Sequence, residues 1–314
     1  MAGSGSLKRI AFVEVSPRDG LQNEPGVLTV EQKVALIDRV RAAGVRRIEV
    51  ASFVNPRFVP QMADAEAVVA ALQDDPSVVY IGLVLNLRGA ERALDTNIDQ
   101  LGAVCVATDG FAARNQGQTS DESLRIAKEI VLTAARHGRS AQITIGASFG
   151  CPFEGEVDPA RVVAMARTAA EARPVEIALA DTIGVAVPSQ VADLVGQVRE
   201  AISPIPVRVH FHNTRNTGIA NVWAAIQEGA STIDGSIGGL GGCPFAPGAA
   251  GNVPSEDVIY MLQRSGIESG ISLDKIVEAA RWMSILMRRP LPGMVSRAGS
   301  FPAVERHSEE RQSA

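Results

Sequence analysis

The sequence predicts an α/β protein with a (β/α)8 TIM barrel and additional C-terminal helices. Eight short runs rich in β-branched residues alternate with alanine-rich helical stretches along the chain. Most of these runs are almost continuously apolar, as expected for parallel strands that are covered on both faces. A doubly wound open sheet also contains βα repeats, but no GxGxxG motif follows the first strand, and a count of eight favours the barrel.

The segments between the strands have the spacing and the end signals of helices. TVEQKVALIDRVRAAG, after the first strand, has apolar residues at helical spacing and a terminal glycine. After the eighth strand, SEDVIYMLQRSG and LDKIVEAARWMSILMRRP predict helices beyond the minimal barrel. We expect a single TIM-barrel domain over residues 1–307 and a disordered tail over residues 308–314. The predicted strands are RIAFVEV (9–15), RRIEVASF (46–53), VVYIGLVL (78–85), AVCVAT (103–108), AQITIGAS (141–148), VEIALA (175–180), VRVHFH (207–212) and STIDGSI (231–237).

Composition and charge limit the class of protein. Hydrophobic residues make up 46% of the chain and charged residues 21%, which is typical of a globular protein with a substantial core. The net charge of −5 argues against a nucleic-acid or anionic-membrane surface, and no apolar run reaches the ~18 residues of a membrane span. Three scattered cysteines favour free thiols in a reducing compartment, and the N-terminus has no signal or transit features. We therefore expect a cytoplasmic protein without nucleic-acid or membrane partners.

A pair of histidines at the end of the seventh strand predicts a metal site. His210 and His212 in HFHNTRNTG are two residues apart on a strand, so both imidazoles project to the same face. Active sites of such barrels lie at the carboxyl ends of the strands, although two polar residues can also simply end a strand. Asp19, in the first-strand motif SPRDGLQNE, offers a hard oxygen ligand, or else forms a common Asp-Gly turn. With the amide oxygen of Asn252, this mixed set suits Mg²⁺ or Mn²⁺, and Zn²⁺ is not excluded.

Other strand ends carry polar residues that suit catalysis. Glu49 lies inside the apolar run IEVASF, where an unpaired carboxylate is costly, and Arg18 on the neighbouring strand is its natural partner. Asp181 follows the sixth predicted strand. The glycine-rich segment GGLGGCPFAPGAAGN, residues 238–252, predicts a mobile lid that carries the reactive Cys243. A flexible tip with an incidental cysteine is the alternative interpretation.

Taken together, these motifs resemble those of the 3-hydroxy-3-methylglutaryl-CoA (HMG-CoA) lyase family. The resemblance covers about residues 7–300 and is carried by SPRDGLQNE, IEVASFVNPRFVPQMAD, GCPFEG, ADTIGV, the H-x-H strand and GGLGGCPFAPGAAGN followed by ED. It implies a carbon–carbon lyase that cleaves an HMG-CoA-type acyl-CoA by a divalent-metal-dependent retro-Claisen reaction, giving acetyl-CoA and the keto acid acetoacetate. It also implies a part in leucine degradation and a homo-oligomer, either a dimer or a tetramer.

The resemblance further implies a role for each site residue. Arg18 stabilises negative charge on the thioester oxygen as the enolate develops, and Glu49 holds Arg18. His210 transfers a proton, and Cys243 delivers a proton to the enolate carbon. Asp181 is a second acid or base, or a positioning residue. The implied cation, Mg²⁺ or Mn²⁺, is held by Asp19, His210, His212 and Asn252.

The substrate contacts are where the chain departs from the family pattern. The predicted substrate-binding residues are Gln22, Asn23, Ser52, Asn86 and Arg215. After H-x-H the family usually has Asp-Thr-Tyr-Gly, whereas residues 213–216 here are Asn-Thr-Arg-Asn. Arg215 then either meets an additional substrate carboxylate or is a solvated residue at the start of a helix. Pro25 and Gly26 follow LQNE, where the family often has lysine.

These departures leave alternative functions open. One is a lyase for a related 3-hydroxyacyl-CoA, such as citramalyl-CoA or a longer branched substrate. Another is a Claisen-condensing acyltransferase, which the lid cysteine motif and the chain length of 314 residues disfavour. The last is a binding protein on a barrel that has lost its catalytic activity. The presence of every proposed metal ligand and of Cys243 argues against it.

Overall fold

The computed structural model describes residues 9–242 and 251–301. Within these ranges, eight parallel strands close into a barrel in chain order, which confirms the predicted fold. The strands are β1 (Ala11–Glu14), β2 (Arg47–Ser52), β3 (Val79–Val84), β4 (Gln100–Val106), β5 (Ser140–Gly146), β6 (Ile177–Asp181), β7 (Val207–Phe211) and β8 (Thr232–Gly235). The predicted domain boundary at residue 307 and the predicted tail, residues 308–314, lie outside the described residues and stay predictions.

Helices alternate with the strands and continue after the barrel closes. The described helices are α1 (Val30–Ala42), α2 (Ala65–Ala70), α3 (Leu87–Leu94), α4 (Asp109–Gln116), α5 (Ser120–Arg136), α6 (Pro159–Ala170), α7 (Pro188–Ile202), α8 (Gly218–Gln227), α9 (Ser255–Arg264), α10 (Leu273–Leu286) and α11 (Val295–Ala298). Helix α1 begins where the sequence dictates, because Thr29 and Gln32 form a capping box. None of the helices in the described ranges is long and apolar enough to cross a membrane.

Most strand boundaries differ from the prediction by one to three residues, and two of them have a clear structural cause. Strand β1 ends at Glu14 because the chain turns at Val15 into a π-helical turn, Ser16–Gly20. Strand β4 begins at Gln100, three residues before the predicted start, because Gln100 already pairs with strands β3 and β5. Local composition does not report such pairing, since it depends on the register of the neighbouring strands.

The C-terminal helices complete the ring around the barrel. Helix α10 packs against α1, where the guanidinium of Arg39 lies 4.5 Å from the ring centroid of Trp282. The N–H of Ser272, which caps α10, donates to the carbonyl oxygen of Ala43 at 2.8 Å. The predicted additional helices therefore cover the side of the barrel on which the first and last strands meet.

The interior of the barrel carries charge as well as apolar side chains. The main apolar cluster includes residues of both the strands and the surrounding helices. Arg47 on β2 forms a salt bridge with Glu176, next to β6, and Arg208 on β7 lies 3.8 Å from Glu49 on β2. Because these strands are not neighbours, the side chains meet across the barrel interior. A buried polar layer therefore lies beneath the carboxyl ends of the strands.

Candidate metal centre and active site

The turn that follows β1 presents Arg18 and Asp19. The carbonyl oxygen of Val15 accepts hydrogen bonds from the N–H groups of Arg18, Asp19 and Gly20 at 3.2, 2.8 and 3.2 Å. This single acceptor closes a tight turn at the carboxyl end of the strand. A Cβ on Gly20 would lie 2.8 Å from Ser236 Oγ, so the turn packs directly on the segment after β8. The local fold thus places both side chains beside the last strands of the barrel.

Three of the predicted ligands meet in one cluster. Asp19 Oδ2 lies 3.9 Å from His210 Nε2 and 3.7 Å from His212 Nε2. The two imidazole centroids are 5.2 Å apart, as expected for side chains on the same face of β7. One ligand atom from each of the three residues lies within 4.8 Å of the other two. These atoms can therefore share one cation.

The charge state of Asp19 suits a ligand. Burial raises the pKa of Asp19, but the Arg18 charge and the contacts with His212 and His210 outweigh burial and hold the pKa well below its usual range. Asp19 is therefore a carboxylate at neutral pH. Nη1 of Arg18 donates to Asp19 Oδ1 at 2.6 Å, which leaves Oδ2 directed at the imidazoles.

Asn252 reaches the same cluster from a distant part of the chain. It forms an isolated antiparallel bridge with His212, which sets the two side chains next to each other. Asn252 Nδ2 donates to Asp19 Oδ2 at 2.7 Å and to the carbonyl oxygen of Leu240 at 3.0 Å. Its Oδ1 is buried and has no hydrogen-bond partner among the described residues. The amide therefore presents its nitrogen to Asp19, and ligation through Oδ1 requires the amide to turn over.

The donor set fits a divalent cation. Two imidazole nitrogens, a carboxylate and an unpartnered amide oxygen match the mixed nitrogen and oxygen ligands that first-row and alkaline-earth cations accept. The observation that supports this fit is the cluster itself, in which one ligand atom each of Asp19, His210 and His212 lies within 4.8 Å of the other two. Asn252 Oδ1, which is buried without a partner among the described residues, joins this cluster when the amide turns over.

Arg18 and Glu49 form a buried pair beside the cluster. Arg18 Nε donates to Glu49 Oε1, and both residues are buried. Arg18 therefore has one side held by Glu49 and another by Asp19. The geometry fixes the guanidinium next to the candidate cation site.

Asp234, which the sequence analysis did not single out, supports His210. Asp234 Oδ2 lies 3.0 Å from His210 Nδ1, so His210 has only Nε2 left for the site. Burial lowers the pKa of His210, but the hydrogen bond to Asp234 and the Asp19 charge outweigh burial and raise it. Asp234 could have been found from the sequence, because it interrupts the apolar run STIDGSI as Glu49 interrupts IEVASF.

Glu14 is a second buried carboxyl that sequence reasoning missed. Its Oε1 accepts hydrogen bonds from the N–H groups of Ser16 and Ile237 at 2.9 and 3.0 Å, and its Oε2 accepts one from Ser255 Oγ at 2.6 Å. Burial raises the pKa of Glu14 from 4.5 to about 7, although these donors act to lower it. Glu14 thus joins the turn that carries Asp19 to the segments on either side of the glycine-rich loop.

Asp181 and Arg215 both bind the loop after β6. Asp181 is fully buried, and its two carboxylate oxygens accept the N–H groups of Val185 and Ala186, each at 2.9 Å. Burial raises its pKa, and these two N–H groups oppose the rise. Nη1 of the exposed Arg215 donates to the carbonyl oxygens of Ile183 and Gly184 at 3.1 and 2.8 Å. The structure therefore shows loop-supporting contacts for both residues.

The predicted substrate-binding residues lie in different surroundings. Ser52 is buried, and its hydroxyl has no hydrogen-bond partner in the described part of the chain. Gln22 is half-buried in the turn after β1. Asn86 caps helix α3 by accepting the N–H of Gly89 at 2.9 Å. Asn86 also lines a cavity of about 590 Å³ together with Phe53, Asn55, Pro56, Arg57, Arg88, Gly89 and Arg92.

The two ends of the glycine-rich segment meet beside the site. A Cβ on Gly251 would lie 1.7 Å from the carbonyl oxygen of Gly241, so a larger residue does not fit there. Asn23 Nδ2 donates to the carbonyl oxygen of Gly242 at 2.6 Å and so ties the first loop to this segment. Cys243 and the central part of the predicted lid, residues 243–250, lie outside the described residues, and the lid and the role of Cys243 stay predictions.

Comparisons with known proteins show the family of this chain. The HMGL-like family model matches residues 9–283. The chain is 44% identical over 309 residues to (R)-citramalyl-CoA lyase of Chloroflexus aurantiacus, covering 95% of this chain and 98% of that protein. It is 36% identical to a hydroxymethylglutaryl-CoA lyase of Bacillus subtilis, covering 91% and 95% of the two chains. An HMG-CoA lyase of Acinetobacter baumannii, solved with coenzyme A and 3-methylmalate, superposes with a TM-score of 0.90 at 37% identity, covering 96% and 99%. The resemblance is confirmed, and the chain belongs to the HMGL-like family of carbon–carbon lyases that includes the HMG-CoA lyases.

Proposed function

We propose that the enzyme cleaves the C2–C3 bond of an HMG-CoA-type acyl-CoA with the help of a divalent cation, Mg²⁺ or Mn²⁺. The products are acetyl-CoA and a keto acid, which is acetoacetate for HMG-CoA. The observation that supports this proposal is the cluster of Asp19, His210 and His212, with the Asn252 amide beside it. An acyl-CoA substrate is supported by the A. baumannii relative, which was solved with coenzyme A.

The reaction requires two proton transfers and one place for negative charge. The C3 hydroxyl loses its proton, the C2–C3 bond breaks, and its electron pair forms the thioester enolate of acetyl-CoA. The enolate then takes a proton at C2. A bound divalent cation lowers the pKa of the hydroxyl group and polarises the oxygens of the substrate.

Arg18 is the residue that we assign to the enolate charge. Its Nε is held by Glu49 and its Nη1 by Asp19, so the guanidinium is fixed before substrate arrives. Donors that are positioned in advance stabilise developing negative charge without a cost of reorganisation. Glu49 therefore acts through Arg18, as a positioning residue.

The two roles proposed for His210 exclude each other at any one moment. Because Nδ1 is bonded to Asp234, only Nε2 faces Asp19, and a nitrogen that binds the cation cannot accept a proton. A His210→Gln variant separates these roles. Loss of Mn²⁺ binding assigns His210 to the cation, whereas retained binding with lost turnover assigns it to proton transfer.

Cys243 and Asp181 complete the proposed chemistry. We assign Cys243 to protonation of the enolate carbon, on the strength of the family motif that carries it. For Asp181 the contacts favour positioning over acid–base catalysis, since both of its oxygens already accept N–H groups. The proposed substrate contacts of Gln22, Asn23, Ser52, Asn86 and Arg215 rest on their place near the strand ends. The buried Ser52 hydroxyl has no hydrogen-bond partner among the described residues, which leaves it available for such a contact.

The test is a cleavage assay on metal-stripped protein. The enzyme, with and without added Mg²⁺ or Mn²⁺, is incubated with HMG-CoA and other 3-hydroxyacyl-CoAs, and acetyl-CoA is measured. We expect metal-dependent release of acetyl-CoA by the wild type and little by Asp19→Asn. The absence of acetyl-CoA with every substrate, in protein that binds the metal, would refute the lyase proposal.

(R)-Citramalyl-CoA is the second candidate substrate. The observation that favours it is the relative named (R)-citramalyl-CoA lyase, which is 44% identical to this chain. In citramalyl-CoA the carboxylate is attached directly to C3, so cleavage yields pyruvate instead of acetoacetate. The ratio of kcat/KM for the two substrates decides between them, and the reverse condensation measures any acyltransferase activity.

Cellular context and assembly are further parts of the proposal. We propose a cytoplasmic homo-oligomer, a dimer or a tetramer, and a part in leucine degradation if HMG-CoA is the substrate. These points rest on the family resemblance. Light scattering after size-exclusion chromatography measures the oligomeric state, and a monomer would refute that part.

A further inference from the structure

A buried guanidinium lies directly beneath the site. Arg208 is on β7, two residues before His210, so both side chains project to the same face of the strand. Arg208 is only 1% exposed, although it carries a permanent charge. A buried arginine without anionic partners is costly, so its contacts account for its presence.

Arg208 is paired with three carboxylates. Its Nε donates to Asp234 Oδ1 at 2.6 Å and its Nη2 to Asp234 Oδ2 at 2.8 Å, which is a bidentate pair. Nη2 also lies 3.8 Å from Glu49 Oε2, and Nη1 donates to Glu176 Oε1 at 3.4 Å. These partners come from β8, from β2 and from the residue before β6.

Two of these carboxylates support groups of the proposed site. Asp234 contacts His210 Nδ1, and Glu49 accepts a hydrogen bond from Arg18 Nε. The Arg208 guanidinium therefore contacts Asp234, which supports the candidate metal ligand His210. It also contacts Glu49, which supports Arg18, the candidate enolate stabiliser. The two supports come from β8 and β2, which are separated by β1, and Arg208 is the charge between them.

We propose that Arg208 is a positioning residue that fixes Asp234 and Glu49 together, and so sets His210 and Arg18 in register over one substrate. This inference rests on the proposed metal-dependent lyase function. A planar guanidinium can bind Asp234 with two parallel bonds while still facing Glu49. A lysine ammonium is a point charge, so it neutralises the region without fixing the orientation of both carboxylates.

The chain offers a matched control in Arg47. Arg47 is half-buried beside the same charged layer and binds Glu176 through Nη1 and Nη2, and Gln100 through Nη2. In the described residues it has no salt bridge to Asp234 or Glu49. Arg47→Lys therefore disturbs the same charge network without touching either support.

The experiment compares Arg208→Lys with Arg47→Lys and the wild type. Mn²⁺ affinity is measured by EPR titration, folding by thermal unfolding, and kcat and KM at saturating Mn²⁺. We expect Arg208→Lys to lose about 10- to 100-fold in Mn²⁺ affinity, as for other losses of support behind a metal ligand. We also expect its kcat to stay below that of Arg47→Lys when the metal is saturating, because Arg18 is then misplaced.

The outcomes separate this inference from the proposed function. A folded Arg208→Lys that matches Arg47→Lys in Mn²⁺ affinity and kcat overturns the inference alone. If Arg208→Lys fails to fold, Asp234→Asn decides the question, because it keeps the side-chain volume but weakens the link to His210. A folded Asp234→Asn with wild-type Mn²⁺ affinity overturns the inference. Wild-type protein that binds no Mn²⁺ and releases no acetyl-CoA with either Mg²⁺ or Mn²⁺ overturns the proposed function together with this inference.

Discussion

Replacing Glu14 with glutamine removes the charge from a carboxyl that lies wholly inside the protein, between the turn that carries Asp19 and the segment that carries Asn252. Glutamine can keep the existing contacts. Its oxygen can accept the N–H groups of Ser16 and Ile237, and its amide group can donate to Ser255 Oγ, at the positions where Glu14 now bonds. The substitution therefore changes charge with little change in shape.

The pKa of Glu14 sets the size and the sign of the effect. Burial is the largest cause that raises the pKa from 4.5 to about 7, a difference of about 2.5. Between these values the folded protein keeps a proton that the unfolded chain has lost, so stability falls as pH rises from about 4.5 to about 7 and then levels off. At 1.36 kcal/mol for each pKa unit, the loss amounts to about 3 kcal/mol. Glutamine does not titrate, so Glu14→Gln should gain most of this amount, about 2.5 kcal/mol, over the wild type between pH 5 and pH 8.

Urea unfolding at pH 5, 6, 7 and 8 measures this gain as the difference in unfolding free energy between variant and wild type. Glu256 contributes to the pH dependence of both proteins, since burial also raises its pKa to about 7, and the difference removes it. Glu278→Gln, at an exposed position on α10, is the matched control and should show a pH-independent difference. A Glu14→Gln difference that is also constant from pH 5 to pH 8 would refute the reasoning.

Three further variants test the site itself. Asp19→Asn removes the anionic ligand, and we expect Mn²⁺ affinity in an EPR titration to fall by at least ~10-fold, since even outer-shell losses cost that much; wild-type affinity would contradict the cluster. Glu49→Gln loosens Arg18, and we expect kcat to fall about 10²-fold while Mn²⁺ affinity changes little. A fall in Mn²⁺ affinity with little change in kcat would instead place Glu49 in metal binding. Cys243→Ser should lower kcat by about 10²–10⁴-fold with metal binding intact, and wild-type turnover would exclude Cys243 as the proton donor.

The sequence predicted the barrel and the histidine pair because both depend on local periodicity. Alternation of apolar runs with helical segments reports the order of elements, and an i, i+2 pair on a strand reports a shared face. The end of β1 was harder to predict, since the π-helical turn at Val15 depends on a carbonyl that accepts three N–H groups. Asn252 could be proposed from its residue type, but its bridge to His212 depends on how the chain returns after the glycine-rich segment.

Most partners of the buried carboxylates are a part of the site that the sequence could not predict. Glu49, Glu14 and Asp234 each interrupt an apolar strand, so each one indicates a buried carboxylate that requires a partner. Glu49 was given its partner Arg18 because Arg18 closely follows the first strand, which neighbours the strand of Glu49. Asp234 has its partner Arg208 on the preceding strand, yet the same guanidinium also faces Glu49 across the barrel. The local sequence indicates that each buried carboxylate needs a cationic partner, whereas the closure of the barrel determines which cation it contacts. The proposed coupling of His210 to Arg18 follows from that closure, so it became visible only in three dimensions.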